Sequence, residues 1–285
     1  MKKRRSIRTV WIAVVLFAIG LAVLSYPTVS DLWNRHRNKV AATQYRACVE
    51  SLSEDARDTM LQAARAYNLA HTQNVFRDAF SAQTEQNDDY NALLDPGGNG
   101  VMGAVEIPKI RVYLAIRHGT SPSALERSAG HLEGTSLPVG GEGTHAVLSA
   151  HRGLPSAKLF TDVDQLCVGD VFYLYVLNEM MTYRIERIDT VLPEDAALLA
   201  VEPGQDLVTL VTCTPYGVNT HRLLLRGRRI PNEEAPTQTA DAQVLIRTQY
   251  PLMLTAAAFI LFFIIMTIVI RKTVKNKERR KAREA

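Results

Sequence analysis

A cysteine and an arginine stand nine positions apart in a stretch that is typical of a β-hairpin. Cys213 ends the apolar, β-branched segment 207–212, a Pro-Tyr-Gly turn follows, and Arg222 begins the next apolar segment. Two such segments joined by a turn predict neighbouring antiparallel strands, which would bring the thiol and the guanidinium together. A thiol beside a permanent positive charge is a candidate nucleophile, because the cation stabilises the thiolate.

A cysteine nucleophile usually works with a histidine that carries a proton, and the chain contains seven histidines. His151 is the strongest candidate because it follows a short apolar strand and precedes a loop, the same kind of position as Cys213. His145 begins that strand, and strand alternation would point His221 away from Arg222. The others fall in the helical leader or in turns: His36, His71, His118 and His131. The pattern therefore favours a site of thiol, imidazole and guanidinium.

Short alternating segments separated by turns begin near residue 103 and predict the strands that hold these groups. The predicted strands are 103–108, 112–117, 145–150, 171–177, 181–187, 207–212 and 222–226. Brief helices are predicted at 121–128 and 154–160. A regular succession of short strands predicts a closed or nearly closed β-barrel, so we expect a mostly β catalytic domain over 103–230.

Helical periodicity precedes the barrel and predicts a helical leader over residues 27–71. Ser30 is a candidate N-cap for a first helix, and Ser53 for a second. The residues predicted to face the core are Leu32, Val40 and Cys48 in the first helix and Met60, Leu61, Ala64 and Tyr67 in the second. The leader should therefore pack against the barrel.

Residues 72–102 are polar and irregular, and they end in a run from Asp95 to Gly100 that predicts a turn. Part of this run also matches an EF-hand calcium loop, with Asn99 and Glu106 at ligand positions. The third position of that loop is Gly97, which has no side-chain oxygen, and no second loop of this kind follows. We therefore interpret the run as a turn and predict no metal site.

Two apolar stretches flank the leader and the barrel. Residues 9–26 are uncharged and follow the basic segment 1–8, whereas residues 250–270 run directly into the basic tail 271–285. These lengths and flanks predict an uncleaved N-terminal anchor and a C-terminal transmembrane helix, with a signal peptide as the alternative for the first. The positive-inside rule keeps both termini in the cytoplasm and places the barrel outside, joined to the second span by the polar linker 231–249.

Composition narrows the classes of function. The net charge is +4, and much of the positive charge lies at the two ends, which argues against a nucleic-acid-binding domain. Three cysteines at Cys48, Cys167 and Cys213 form neither a disulfide framework nor a zinc-like pair, so we predict free thiols. We expect Cys48 and Cys167 to be packing residues.

Several motifs carry a resemblance to one family. Thr209-Leu-Val-Thr-Cys213 resembles the TLxTC motif of sortases, the membrane-anchored transpeptidases of Gram-positive bacteria, and Arg222 lies where the sortase arginine belongs. The segment Leu148-Ser-Ala-His-Arg-Gly-Leu-Pro155 resembles the one that holds the sortase histidine. Further segments resemble the class C, pilin-polymerising branch: 106–110, 118–121, 130–138 and 214–221. The resemblance runs almost continuously over about 90–230, and the leader and C-terminal span also suit class C.

The resemblance implies an eight-stranded sortase-type β-barrel and assigns roles within it. Cys213 would be the nucleophile, His151 the acid and base, and Arg222 the stabiliser of the oxyanion or the substrate. The implied reaction cleaves an LPxTG-type signal between Thr and Gly and transfers the thioester on Cys213 to a lysine amine of another pilin subunit. No cofactor is expected, because the thioester conserves the energy of the cleaved bond. Thr212 would bind substrate or orient the arginine, unless it is a strand residue chosen for β-propensity.

Class C sortases also tend to carry a lid upstream of the barrel, with an Asp-Pro-aromatic motif. Asp78-Ala-Phe80 keeps the acid and the aromatic ring but lacks the proline, whereas Asp95-Pro96 is followed by glycine. We favour Asp78 and Phe80 as lid residues, with Asp78 paired to Arg222 and Phe80 covering the sulfur of Cys213. The alternative is an ordinary surface loop.

Three functions follow from these features. The first is a pilus-assembly sortase whose partners are the lipid bilayer and pilin subunits that bear LPxTG-type signals and an acceptor lysine. The second is a housekeeping-type sortase that anchors surface proteins to cell-wall peptidoglycan, and the third is a non-catalytic, membrane-tethered binding module. The C-terminal span and the segment Asp78–Phe80 favour the first.

Overall fold

The computed structural model of the chain describes residues 7–70, 78–80, 87–234, 257–268 and 271. Parts of the predicted basic N-terminus, lid region, linker, C-terminal span and basic tail lie outside these residues. By its contacts the chain divides into two units: Met1–Ser30 with Leu245–Ala285, and Asp31–Val244. The barrel belongs to the second unit.

Helix α1 (Ile7–Ser51) is continuous, so the predicted start of a separate helix at Ser30 is wrong. Pro27 lies inside it and removes one backbone hydrogen bond of the helix. The helix from Trp11 onward is long and apolar enough to cross a membrane, with a mean hydropathy of 2.3 in its most apolar window. It is compatible with the predicted anchor.

The described part of the predicted C-terminal span is helix α5 (Ala257–Ile268). The rest of the predicted span, residues 250–256 and 269–270, lies outside the described residues, so the second membrane crossing stays a prediction.

The part of α1 that packs on the barrel uses a different face from the predicted one. Its buried residues are Asn38, Ala42, Tyr45 and Val49, whereas Leu32 and Val40 are exposed. Asn38 is the physical reason, because its side chain donates to the carbonyl of Arg127 and accepts from the amide of Ala115. A polar residue that anchors a helix by hydrogen bonds cannot be found from apolar periodicity.

Helix α2 (Glu54–Ala70) confirms the predicted cap and core face. The Ser53 hydroxyl accepts a hydrogen bond from the amide of Ala56, and Ala64 is fully buried. Met60, Leu61 and Tyr67 pack against the main core. Asn68 adds a polar anchor, since its amide group bonds both the N–H and the C=O of Leu137. The leader is therefore fastened to the barrel by side chains that bond its backbone.

The described residues confirm the predicted eight-stranded barrel. The strands are β1 (Val101–Ile107), β2 (Val112–His118), β3 (Ala129–His131), β4 (Thr144–Ser149), β5 (Val171–Val176), β6 (Glu179–Val191), β7 (Asp206–Thr214) and β8 (His221–Ile230). They close in the order β1-β2-β3-β4-β7-β8-β6-β5. The pairs β2–β3 and β4–β7 are parallel and the others antiparallel. Strand β3 was not predicted from the sequence, because three residues are too few to show an alternating pattern.

Short helical turns join these strands. They are α3 (Asp88–Asn91), α4 (Pro122–Leu125) and 3-10 turns at Pro108–Ile110, Val163–Gln165, Ala197–Leu199 and Asn232–Glu234. Ser121 caps α4, so the helix predicted at 121–128 is a single turn. The helix predicted at 154–160 is wrong. Leu154 precedes a proline, Leu159 has a φ of 42°, and the amides of Lys158 and Phe160 donate to Asp31 and to the carbonyl of His151.

The turn predicted before β1 is confirmed. The carboxylate oxygens of Asp95 accept hydrogen bonds from the amides of Asn99 and Gly100, at 3.0 and 2.9 Å. Such local side-chain bonds are what favours aspartate in turns. The turn brings the chain from the leader into the barrel.

Two apolar clusters occupy opposite faces of the strands that matter for the site. Val208, Leu210, Leu223 and Leu225 belong to the main core inside the barrel. The alternate positions on the same strands, together with β4, form an outer cluster that contains Val147, Val211, Leu224, Leu199 and Ala79. Side chains alternate along a strand. Residues an even number of positions from Val211 on β7, or from Leu224 on β8, therefore face outward.

Candidate active site

Cys213 and Arg222 are direct partners across the β7–β8 hairpin. Cys213 lies two positions from Val211 on β7, and Arg222 lies two positions from Leu224 on β8. Both side chains therefore project from the outer face of the barrel. Only 7% of Cys213 is exposed. The sequence prediction of a thiol facing a guanidinium on neighbouring strands is therefore confirmed in geometry.

The hairpin turn holds Arg222 in place. The guanidinium Nη1 donates to the carbonyls of Asn219 and His221, each at 3.2 Å. Asn219 has a φ of 62°, a conformation that asparagine tolerates better than most residues. The arginine is thus tied to its own turn before any substrate contact.

His151 reaches the site through the parallel pairing of β4 with β7. Ser149 pairs with Val211, and the amide of Ala150 donates to the carbonyl of Val211 at 3.2 Å. Continuing this register by two residues sets His151 beside Cys213. The two parallel strands therefore bring the strand-end positions of His151 and Cys213 side by side.

Thr212 is fully buried, and its hydroxyl donates to the carbonyl of Ala150 at 2.8 Å. This bond links the end of β7 to the residue before His151. The bond supports a role for Thr212 in positioning the strand ends, and binding of substrate by Thr212 stays a prediction.

Residues 78–80, which we call the lid segment, cover the site. Asp78 accepts two hydrogen bonds from Arg222, from Nε and Nη2, each at 2.7 Å. The ring of Phe80 lies 5.4 Å from the His151 ring and 5.1 Å from the guanidinium carbon of Arg222. The paired Asp78 and Arg222 match the prediction. Phe80 contacts His151 and Arg222 through its ring, whereas its predicted contact with the Cys213 sulfur stays a prediction.

The lid segment is also anchored by packing. Ala79 is 4% exposed and joins the outer cluster with Leu132, Val147, Leu199, Val211 and Leu224. The short 3-10 turn Ala197–Leu199 contributes Leu199 to that cluster. The lid segment is therefore held both by the ion pair of Asp78 and by the packing of Ala79 and Phe80 on the outer cluster.

Electrostatics keep the thiol and the imidazole neutral near pH 7. Burial raises the pKa of the Cys213 thiol, the Arg222 charge lowers it and the Asp78 charge raises it. Burial also lowers the pKa of His151. A neutral imidazole can accept a proton, so the arrangement suits proton transfer from thiol to ring when substrate arrives.

Arg152 ties the His151 loop to the Cys213 turn, a role that sequence analysis missed. Its guanidinium pairs with Asp164, donates to the Thr214 hydroxyl at 3.4 Å and lies 5.7 Å from the Tyr216 ring. The side chain is only 7% exposed. No local signal predicts these contacts, because the partners lie 12 to 64 positions away in sequence.

Other histidines serve the fold. His131 is fully buried between the Tyr90 hydroxyl and the Ser136 carbonyl, and burial lowers its pKa to about 4. His145 lies between the Ala200 carbonyl and the Thr209 hydroxyl. His118 bonds the carbonyls of Leu93 and Gly100, and His71 lies outside the described residues.

The three cysteines are free thiols, as predicted. Cys48 is half-buried on α1, whereas Cys167 is exposed, so the prediction that Cys167 packs in the core is wrong. Its backbone amide donates to Asp170 at 2.7 Å, which fixes a turn and leaves the thiol outside. Of the three thiols, Cys213 is the buried one beside a cation.

Comparison with known proteins agrees with this geometry. Residues 105–230 match the Sortase domain family. Sortase A of Streptococcus agalactiae is 26% identical over 240 residues, which cover 82% of this chain and 89% of that protein.

Solved structures are similar at higher identity. Sortase C-1 from Actinomyces oris is 41% identical, with a TM-score of 0.60, over 62% of this chain and 99% of that one. Sortase C1 from Streptococcus agalactiae is 45% identical, with a TM-score of 0.62, over 67% and 98%. Sortase A from Corynebacterium diphtheriae is 36% identical, with a TM-score of 0.62, over 72% and 97%. The chain belongs to the sortase family of cysteine transpeptidases.

Proposed function

We propose that this chain is a pilus-assembly sortase, which joins pilin subunits by isopeptide bonds. One observation carries the proposal: the lid segment is seated on both Arg222 and His151. Such a cover suits an enzyme that must withhold its thiol until a particular protein substrate arrives. Similarity to several sortase C structures supports the same interpretation, and sortase C of Streptococcus pneumoniae is described as acting on pilin substrates.

In the proposed first step, His151 takes the proton of the Cys213 thiol, and the sulfur attacks the threonine carbonyl of an LPxTG-type signal. Arg222 stabilises the negative charge that develops on the carbonyl oxygen, because its guanidinium is always charged and offers several donors. The protonated His151 then gives its proton to the departing glycine amine. The C–N bond breaks, and a thioester on Cys213 remains.

In the second step, a lysine amine of another pilin subunit attacks the thioester carbonyl. His151 accepts a proton from this amine and passes it to the sulfur as the C–S bond breaks. An isopeptide bond forms, and the thiol of Cys213 is restored. The thioester retains enough free energy for this transfer. Water and the amine compete for it, because both can attack the thioester carbonyl.

The lid segment must move before this chemistry can start. Asp78 occupies two of the guanidinium donors that the oxyanion would use, and Phe80 covers the imidazole. Departure of Asp78 would also remove a negative charge that raises the pKa of Cys213. Lid opening thus frees the donors of Arg222 and favours the thiolate in one movement.

The proposed enzyme is anchored in the cell membrane by two spans, with both termini in the cytoplasm and the barrel outside. The long apolar part of α1 supports the first span. The second span and the orientation rest on the sequence of residues 250–285 and on the positive-inside rule. This topology places the thiol where exported pilins pass.

A transfer assay tests the proposal. The full chain in lipid nanodiscs is incubated with an LPxTG peptide and with a pilin subunit that carries a lysine acceptor. We expect isopeptide-linked products that disappear in Cys213→Ala. The matched control is Cys167→Ala, which removes an exposed thiol and should keep full activity. Failure of Cys213 to form an acyl-enzyme, with or without Asp78→Asn to loosen the lid, contradicts the proposal.

A housekeeping-type sortase that joins surface proteins to peptidoglycan is the second candidate function. Its support is the similarity to two proteins named sortase A, one of them covering 82% of this chain. The same assay separates the two functions. Transfer to peptidoglycan-like amines but never to a pilin lysine favours the housekeeping function.

A further inference from the structure

A groove lined by several charged side chains lies between α1 and the barrel, and none of its lining residues belongs to the Cys213 site. Its volume is about 900 Å³, within the range of small-molecule sites. One wall is α1 from Trp33 to Gln44, and the other includes the end of β2 and the α4 turn between Ala115 and Ser128. The transpeptidase chemistry makes no use of this groove.

The groove is lined by more positively than negatively charged side chains. Three arginines line it, Arg37, Arg117 and Arg127, against one carboxylate, Asp95. Both oxygens of Asp95 already accept backbone hydrogen bonds in the turn before β1. Burial lowers the pKa of Arg117, and repulsion from Arg37 and Arg127 lowers it further against the attraction of Asp95. The guanidinium groups of Arg37 and Arg127 are therefore close enough to repel that of Arg117.

Most N–H donors of these three arginines make no hydrogen bond to a described residue. Arg117 donates through Nη1 to the carbonyl of Asn99 at 2.8 Å. Arg127 is 3.7 Å from Glu126, in a pair whose side chains are both more than half exposed and which contributes little. Among the residues that the structure describes, Arg37 has no hydrogen-bond or ion-pair partner. A ligand with several negative oxygens would satisfy these groups and relieve their repulsion.

We propose that this groove binds the phosphate group of a glycerophospholipid headgroup. Guanidinium groups bind phosphate oxygens through paired N–H donors, which makes arginine the preferred side chain for this anion. The hydroxyls of Ser121 and Ser123 also line the groove and add neutral donors. A single headgroup with its glycerol fits the volume.

The position of the groove in the chain, close after the predicted anchor, favours a membrane lipid as the source of the phosphate. Only seven positions separate Tyr26, at the end of the predicted anchor, from Trp33 in the groove wall. Even a fully extended chain spans at most roughly 25 Å over these seven positions, so Trp33 lies within that distance of the end of the predicted anchor. Trp33 is 63% exposed, and tryptophan is enriched at the headgroup level of membranes. A soluble phosphate ester offers the same chemistry and is the competing source.

The tryptophan provides a reporter. The chain contains two tryptophans, so Trp11→Phe leaves Trp33 as the single fluorophore of the full chain in maltoside detergent. The protein is titrated with a short-chain phosphatidylglycerol below its micelle concentration, with inorganic phosphate, and with a phosphate-free diacylglycerol of the same chain length. We expect a saturable change in Trp33 emission with the phospholipid and none with the diacylglycerol.

Substitutions locate the binding. Arg37→Gln and Arg117→Gln should each weaken the phospholipid affinity by about tenfold or more, as expected for losing a charged hydrogen bond. Arg37 is exposed, so its variant should keep the barrel folded and its transpeptidation unchanged. The matched control is Arg46→Gln, on the same helix but outside the groove and paired with Glu50, which should bind like the parent.

The outcomes are distinct. Inorganic phosphate that binds as tightly as the phospholipid supports the site but overturns the lipid as its source. Absence of any saturable change, or equal affinity in the Arg37→Gln and Arg46→Gln proteins, overturns the site itself. The readout is binding, so the result does not depend on the proposed pilin transfer.

Discussion

The guanidinium of Arg222 holds the carboxylate of Asp78 through two hydrogen bonds of 2.7 Å, across 144 positions of sequence. The two side chains are 11% and 20% exposed, so the pair is largely withdrawn from water. A bidentate pair of this kind is stronger than a surface ion pair. It holds the lid segment against Arg222, which makes the lid segment the first target for experiment.

Asp78→Asn should speed alkylation of Cys213 by iodoacetamide roughly tenfold at neutral pH. Losing charge-assisted hydrogen bonds loosens the lid segment. Losing the carboxylate charge also lowers the pKa of the thiol, so the alkylation profile should move to lower pH. Mass spectrometry of the modified cysteine measures both effects.

The control for this prediction is Glu50→Gln, which removes one acid from an exposed ion pair with Arg46 on α1. It should leave alkylation of Cys213 unchanged. An Asp78→Asn protein that reacts at the parent rate would mean that the carboxylate does not hold the lid segment closed.

Arg222→Gln should reduce peptide transfer by about 10²–10³-fold, the loss typical of removing an oxyanion donor. Because Arg222 lowers the pKa of Cys213, its removal should move the alkylation profile to higher pH. Arg222→Lys separates the two effects. It keeps the charge and much of the pKa effect but loses the planar fork, so transfer should stay low. Full transfer by the lysine variant contradicts a role for the fork.

Arg152→Lys should lower kcat of transfer by about tenfold with little change in KM. The guanidinium bridges the His151 loop, Asp164 and the Tyr216 ring, so its loss misplaces imidazole and thiol relative to each other. The control is Arg187→Lys, in an ion pair with Asp189 on β6. A purely structural role would instead lower the melting temperature and leave kcat of the folded fraction unchanged.

Acid should destabilise the barrel through His131. Its pKa is about 4 in the fold and 6.5 in the unfolded chain, so the unfolded state binds the extra proton as pH falls. The contribution is fully present above pH 6.5 and is lost as pH falls through about 4, for a total of about 3 kcal/mol. Urea unfolding at pH 7 and pH 4 should show a smaller difference for His131→Gln than for the parent. His36→Gln, on an exposed residue, should behave like the parent.

Much of the architecture was predictable because it depends on local patterns. Alternating apolar residues predicted seven of the strands, and the turn from Asp95 to Gly100 follows from side-chain bonds between near neighbours. Strand β3 and the buried face of α1 were not predictable. The first is too short for a pattern, and the second is organised by the polar residue Asn38, whose partners Ala115 and Arg127 lie far along the chain.

By itself, the sequence determined that Cys213 and Arg222 lie on neighbouring antiparallel strands, because two β-rich segments flank a turn, and the structure adds the register that pairs them. It also pointed to His151 as a strand-end histidine. Only the tertiary structure decided that Phe80 lies on His151 and Arg222 and that Arg152 bridges the two loops. The physical reason is the separation in sequence of the residues that make each contact. Hairpins and turns are set by residues within a few positions, whereas ion pairs and ring contacts depend on how distant segments meet when the barrel closes.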